Sequence, residues 1–130
     1  MAYALTCHKP NKLCYLTLDG ETTVEELKVI NKEITAILDV SQEQMCIVFD
    51  VNRLEVSYQT TELLRTTQRF MEHERLNLIL IITDNKLSRL ITMMAFSVAR
   101  AKVIQCLNFD IAIQNLTQRG FMQESQNVQN

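Results

Sequence analysis

The chain has 130 residues, of which 47% are hydrophobic, and this length and composition are typical of one globular domain. Only two residues are glycine and one is proline. Loops that bind phosphate through backbone N–H groups need several glycines at fixed offsets, so a P-loop and a dinucleotide-binding fingerprint are excluded. The 13 basic and 15 acidic residues give a formal charge of −2. Because no basic excess is present to neutralise phosphates, we expect no nucleic-acid partner.

The sequence carries no signal for export or for membrane insertion. Its longest apolar runs, residues 78–82 and 87–98, are shorter or more interrupted than the roughly 20 apolar residues of a membrane span. Residues 1–10 contain no basic segment followed by an apolar stretch, so we expect no export signal. A cytoplasmic location follows as the expectation.

The four cysteines are scattered along the chain and form no C-x-x-C pair: they are Cys7, Cys14, Cys46 and Cys106. We interpret them as buried thiols in a reducing compartment. The sequence therefore predicts neither a disulfide framework nor a zinc site.

The chain begins with a predicted β-hairpin and a helix. Two short β-prone runs, residues 3–8 and 13–18, are separated by a turn at Pro10. Thr23 and Glu26 form a capping-box pattern, after which apolar residues recur at helical spacing to about residue 39.

The middle of the chain predicts a strand and a second helix. Residues 45–51 are apolar except for Asp50, which is the pattern of a strand covered on both faces. Residues 57–75 predict a more polar helix, with Phe70 and Met71 on its buried side.

The last third of the chain repeats the alternation of strand and helix. Residues 78–83 and 103–107 are strand-like, and 86–101 and 110–116 are helical. The order β-β-α-β-α-β-α-β-α predicts a single α/β domain over residues 1–119, with a polar and flexible tail at residues 120–130. Alternating strands and helices favour a mixed sheet with a parallel core, to which the hairpin adds an antiparallel pair.

This layout, with Asp50 near the end of the strand Ile47-Val48-Phe49-Asp50-Val51, resembles the STAS domains of anti-sigma-factor antagonists and sulfate-transporter tails. It is more similar still to the diverged STAS-like proteins of bacteria. The resemblance covers residues 3–116. It implies a STAS-like mixed α/β sheet and a role in regulation.

In the antagonist branch of that family, an Asp-Ser-x-Gly-Leu motif follows the third strand, and a partner kinase phosphorylates its serine. The corresponding residues here are 57–63, which lack the glycine. Gln59 falls at the serine position, or Thr60 after a one-residue insertion. The resemblance thus leaves the hydroxyls of Thr60 and Thr61 as the candidate switch.

Polar residues lie at the ends of the third and fourth predicted strands. Asp50 and Asp84, with Thr83 and Asn85, would line one crevice if the carboxyl ends of these parallel strands bind a ligand. We favour the simpler interpretation that these residues cap helices and shape turns. A response-regulator receiver is disfavoured, because Asp19 has no acidic neighbour and no lysine ends the last strand.

The third predicted helix carries the most informative pattern. At about 100° per residue, one stripe is predicted to face the sheet: Leu87, Leu90, Ile91, Met94 and Val98. The opposite side gathers an apolar centre and a basic rim: Lys86, Arg89, Met93, Phe96 and Arg100. Such a surface suits a protein partner, a second copy of the chain or an anionic membrane surface. The alternative is that the C-terminal segment covers it through Phe121 and Met122.

These patterns predict a non-catalytic interaction or regulatory module that forms a homodimer through the third helix. Neither His8 nor His73 lies in a catalytic pattern, so we expect no enzyme activity, no cofactor and no metal. Two alternatives stay open. One is a carrier of a small apolar or lipid-like molecule, and the other is a phosphoswitch at Thr60 or Thr61.

Overall fold

The structure is a computed structural model that describes residues 2–8 and 12–121. These residues form a five-stranded sheet in which the strands follow the chain order. The strands are β1 (Ala2–His8), β2 (Leu13–Gly20), β3 (Met45–Leu54), β4 (Leu76–Ile82) and β5 (Lys102–Cys106). β1 and β2 are antiparallel, and the remaining pairs are parallel. The predicted parallel core with an opening antiparallel pair is therefore confirmed.

Helices join the strands in the predicted order β-β-α-β-α-β-α-β-α. They are α1 (Val24–Val40), α2 (Tyr58–Thr67), α3 (Lys86–Ala95) and α4 (Phe109–Gln118). Short 3-10 turns follow α2 and α3, at Arg69–Glu72 and Phe96–Val98. The predicted turn at Pro10 and the predicted tail beyond Phe121 lie outside the described residues.

Polar side chains start the helices. The Thr23 hydroxyl accepts a hydrogen bond from the backbone N–H of Glu26 at 3.2 Å, which confirms the predicted cap of α1. Asn85 caps α3 by accepting from the N–H of Ser88 at 2.9 Å. At the far end of the chain, Gly120 adopts a φ of 83°, a conformation that glycine tolerates best and that suits the end of α4.

α2 is shorter than the helix predicted over residues 57–75, because the chain turns toward α1 at Gln68. This side chain is fully buried and donates from Nε2 to the carbonyl of Leu27 at 2.8 Å. The N–H of Phe70 then donates to Asn31 Oδ1 at 2.8 Å. Phe70 is buried, as predicted, but in a 3-10 turn rather than in the helix.

The sheet separates two hydrophobic clusters. Helices α1, α2 and α3 cover one face, where they pack on alternate strand residues such as Ile47 and Phe49. α4 covers the other face, where it packs on residues such as Val48 and Leu80. Burial of β3 and β4 on both faces explains why their sequences are almost continuously apolar.

The prediction of four free thiols is wrong for the first two cysteines. The hairpin register places Cys7 directly opposite Cys14, with a Cα–Cα distance of 4.1 Å, and the structure joins them in a disulfide. Only the register reveals this pair, because spacing along the chain does not show which residues face each other across two strands. Cys46 and Cys106 are free and buried, as predicted.

In the part of the chain that the structure describes, no helix combines the length and the apolar character that crossing a membrane requires.

Candidate interaction surface

Helices α2 and α3 present large apolar side chains to solvent side by side. Tyr58 is 92% exposed and Leu90 is 52% exposed. Three further residues of α3 are about half exposed: Leu87, Met93 and Met94. We call these five residues the α2–α3 patch. Large exposed side chains of this kind, gathered on neighbouring helices, mark interaction surfaces more often than scattered apolar residues do.

The patch exists because three of the four buried residues of α3 are small, whereas most of its large apolar residues are exposed. Its buried positions are Ser88, Ile91, Thr92 and Ala95. The Thr92 hydroxyl donates to the carbonyl of Ser88 at 2.7 Å, so its polar group is satisfied within the helix. With small side chains against the sheet, the apolar residues beside them are left in solvent.

The predicted orientation of the third helix is therefore wrong in part. Ile91 faces the core, whereas the other residues predicted to do so are exposed: Leu87, Leu90, Met94 and Val98. The predicted contact surface keeps four residues that lie at least partly in solvent: Lys86, Arg89, Met93 and Arg100.

Phe96, which was predicted to lie on the outer side, is instead 1% exposed and belongs to the core. Its ring meets those of Phe49 and Phe70, with centroid distances of 5.4 and 6.4 Å. Helical spacing explains this burial once the orientation of α3 is corrected, because Phe96 follows the buried Thr92 by four residues and the buried Ser88 by eight.

A shallow groove runs between α2 and α3. It encloses about 300 Å³, and its lining includes Tyr58, Leu87, Leu90 and Met94. Arg65 fixes one end, because its guanidinium donates to the carbonyl of Met94 at 2.9 Å. The two helices are thus held together by a hydrogen bond from a side chain to the backbone as well as by packing.

Charged residues of opposite sign flank the patch. Glu62 lies on the α2 side, 70% of its side chain is exposed, and its carboxylate is 3.8 Å from the guanidinium of Arg65. Lys86 and Arg89 lie on the α3 side, where they line a second hollow of about 210 Å³ with Leu90 and Met93. Within residues 2–8 and 12–121, neither of these cations forms an ion pair.

The two candidate switch threonines lie at the start of α2 and are buried. The Thr60 hydroxyl accepts from the N–H of Ser57 at 2.9 Å, and Ser57 caps the helix in return. Thr61 contributes to the groove. The comparison with the antagonist motif missed Ser57, although a serine directly before a helical run is a preferred N-cap residue.

The residues at the strand ends form two sets of hydrogen bonds: Asn52 donates from its N–H to Asp50 Oδ1 at 3.1 Å and accepts from the N–H of Asp84, whereas Thr83 bonds to Asn85. Asp50 accepts from the Tyr15 hydroxyl at 2.9 Å, on the α4 side of the sheet. Burial, together with this hydrogen bond, raises the pKa of Tyr15. Thr83 is fully buried, and its hydroxyl accepts from the N–H of Asn85 at 3.1 Å.

Alternation along β4 directs the side chain of Thr83 to the face covered by α1, α2 and α3, away from Asp50. Asn85 is the cap of α3, and Asp84 is exposed, with its N–H donating to Asn52 Oδ1 at 3.0 Å. The side chains of Asp50 and Thr83 therefore lie on opposite faces of the sheet. The described residues also contain no group of three or more histidine, cysteine or acidic side chains placed to hold a metal ion.

A solved structure matches this architecture. It is the crystal structure of an uncharacterised protein of the DUF3478 family from Shewanella loihica PV-4, described as having a SpoIIAA-like fold, and its TM-score is 0.64. The match covers 88% of this chain and 92% of that chain, at 13% sequence identity. The chain has a SpoIIAA-like fold.

The SpoIIAA-like fold is STAS-like, so the resemblance inferred from the layout is confirmed as a likeness of fold. No family model matches the sequence, and the search of curated proteins also finds no match. The α2–α3 patch therefore has to be interpreted from its own chemistry.

Proposed function

We propose that this protein is a non-catalytic regulatory module that forms a homodimer through the α2–α3 patch. The observation that carries the proposal is the outward placement of the apolar residues of α3 beside Tyr58. The SpoIIAA-like fold supports a regulatory role, since the resemblance to the anti-sigma-factor antagonists implies one.

The apolar content of the patch suits a buried interface. Full burial of a leucine or methionine side chain contributes about 1.5–3 kcal/mol, so a half-exposed one gains about 1 kcal/mol on association. A few central residues of this type, flanked by charged groups, commonly supply most of the free energy of binding. Tyr58 adds a large and nearly fully exposed ring.

The charges favour a second copy of the chain as the occupant. In a dimer with a twofold axis, each copy offers the same surface to the other. An axis along the groove would place Glu62 of one copy opposite Lys86 and Arg89 of the other. The acidic and basic sides of the patch are then complementary, and Lys86 and Arg89 gain a carboxylate partner.

A single substitution tests this interface. Leu90→Asp should convert a dimer into a monomer in sedimentation-velocity experiments, because a carboxylate would be buried at the centre of the interface. Val29→Asp is the matched control, since Val29 is 47% exposed on α1, outside the patch. It should leave the dimer intact, and circular dichroism should show that both variants are folded.

The wild-type protein should be sedimented at a series of concentrations. If it is a monomer at all of them, the proposal is overturned. A dimer that survives Leu90→Asp also overturns it. Native mass spectrometry separates the remaining interpretations: a co-purifying small mass would favour the carrier of an apolar molecule, with the groove as its site. Binding of the monomer to anionic but not to neutral vesicles would favour a membrane surface as the occupant.

The phosphoswitch is less favoured than self-association. Both Thr60 and Thr61 are buried, and the Thr60 hydroxyl is engaged in the cap of α2. A kinase would have to open the first turn of that helix to reach either oxygen. The protein can be co-expressed with a kinase that is encoded by an adjacent gene. Phosphorylation of Thr60 or Thr61 in that experiment would favour the phosphoswitch over self-association.

A further inference from the structure

The disulfide joins two cysteines with very different surroundings. Cys7 lies in β1, which is first in the strand order, and it is exposed. Cys14 is 1% exposed and belongs to the hydrophobic cluster beneath α1. One sulfur of the bridge therefore belongs to a solvent-facing residue, and the other to a core residue.

The remaining cysteines provide a contrast within the same chain. Cys46 and Cys106 lie in the cluster beneath α4. Burial raises the pKa of both thiols, which keeps them in the unreactive neutral form. Reactivity toward thiols and disulfides in solution should accordingly be confined to Cys7 and its partner.

We propose that Cys7–Cys14 is a reversible thiol–disulfide exchange site for a low-molecular-weight thiol, with Cys7 as the point of attack. In the reducing direction, the thiolate attacks Cys7 Sγ and forms a new S–S bond with it. The Cys7–Cys14 bond breaks, and its electron pair passes to Cys14 Sγ, which takes a proton from water.

A second thiolate then attacks the sulfur of the small molecule in the mixed disulfide. The two small molecules leave as their own disulfide, and Cys7 departs as a thiolate that is protonated by water. Two electrons have passed from the small thiols to the protein. The oxidising direction is the reverse, with Cys14 resolving the mixed disulfide on Cys7.

Exposure favours Cys7 as the point of attack. Attack on a disulfide needs access to one of its two cysteines, and of this pair only Cys7 is exposed. Once it has taken a proton, Cys14 is a neutral thiol, the form that its apolar surroundings stabilise. Reduction also leaves β1 in place, because every residue from Ala2 to His8 is paired with β2 in the ladder.

The test is a redox titration of the full chain followed by peptide mapping. The protein is equilibrated at several ratios of reduced to oxidised glutathione, quenched in acid, and alkylated after unfolding. Cys7 and Cys14 should change together from disulfide to alkylated thiol along a two-electron curve. Cys46 and Cys106 should be alkylated at every ratio and carry no glutathione.

Two matched variants locate the point of attack. Under oxidised glutathione, Cys14→Ala should accumulate a glutathione adduct on Cys7. Cys7→Ala should form the adduct on Cys14 slower by roughly tenfold or more, because that residue is buried. Equal rates in two folded variants would overturn the assignment of Cys7.

The wild-type titration stands alone if a variant fails to fold. A bridge that resists reduced glutathione at every ratio until the protein is unfolded would overturn the proposal. Finding four alkylated cysteines in protein purified without reductant would overturn it as well. These outcomes are independent of whether the chain forms a dimer.

Discussion

Helices α1 and α3 pack on the same face of the sheet but differ in how many of their large apolar residues they bury. α1 buries large apolar side chains, such as Ile30 and Ile34, and its outer side is mostly polar. α3 buries Ser88 and Thr92 and exposes Leu87 and Leu90. α1 has the usual pattern of a surface helix, whereas α3 is inverted. An inverted helix indicates a second surface to be covered, and this is why the proposed dimer is centred on α3.

The largest expected effect comes from truncating matched residues on the two helices. Ile34→Ala should lower the free energy of unfolding by about 3 kcal/mol, because it leaves a cavity in the core. Leu90→Ala should lower it by no more than about 0.5 kcal/mol in the monomer, since a surface side chain loses little packing. Urea denaturation at the lowest usable protein concentration measures both changes. Similar losses for the two variants would show that Leu90 is part of the core.

A smaller effect tests whether the buried side of α3 requires small residues. Ser88→Leu should lower the free energy of unfolding by about 2 kcal/mol, because the larger side chain has to be forced between the helix and the sheet. Ser88→Ala is the control and should cost about 0.5 kcal/mol or less, since it adds no volume. If Ser88→Leu is as stable as the wild type, the buried side of α3 does not require small residues.

The same contrast explains which parts of the structure could be predicted from the sequence. For α1, apolar spacing and burial coincide, so the helix and its buried side were both predictable. For α3, the spacing predicted the helix but not its orientation, because hydrophobicity alone assigns Leu90 to the core and Thr92 to solvent. The burial of Phe96 follows from the same orientation, since this residue lies four positions after the buried Thr92.

The disulfide and the separated strand-end residues show a related limit. Cys7 and Cys14 pair through the register of the hairpin, and Asp50 and Thr83 diverge because side chains alternate along parallel strands. Both facts depend on which residues face each other across the sheet. The order of elements, which depends on local patterns, was predicted in full.

The smallest expected effect concerns the charges beside the patch. It tests whether the patch is a specific interface, in which charges pair across the dimer, or only an exposed apolar surface. Glu62→Lys should weaken the dimer by about 0.5–1 kcal/mol, the range for exposed ion pairs. Adding Arg89→Glu to the same chain should restore part of the loss, because the proposed twofold arrangement would again place opposite charges face to face. Lys28→Glu, on an exposed residue of α1 outside the patch, is the control for a change in net charge. Dissociation constants from sedimentation equilibrium complete the double-mutant cycle, and strictly additive effects would show that Glu62 and Arg89 do not meet across the interface.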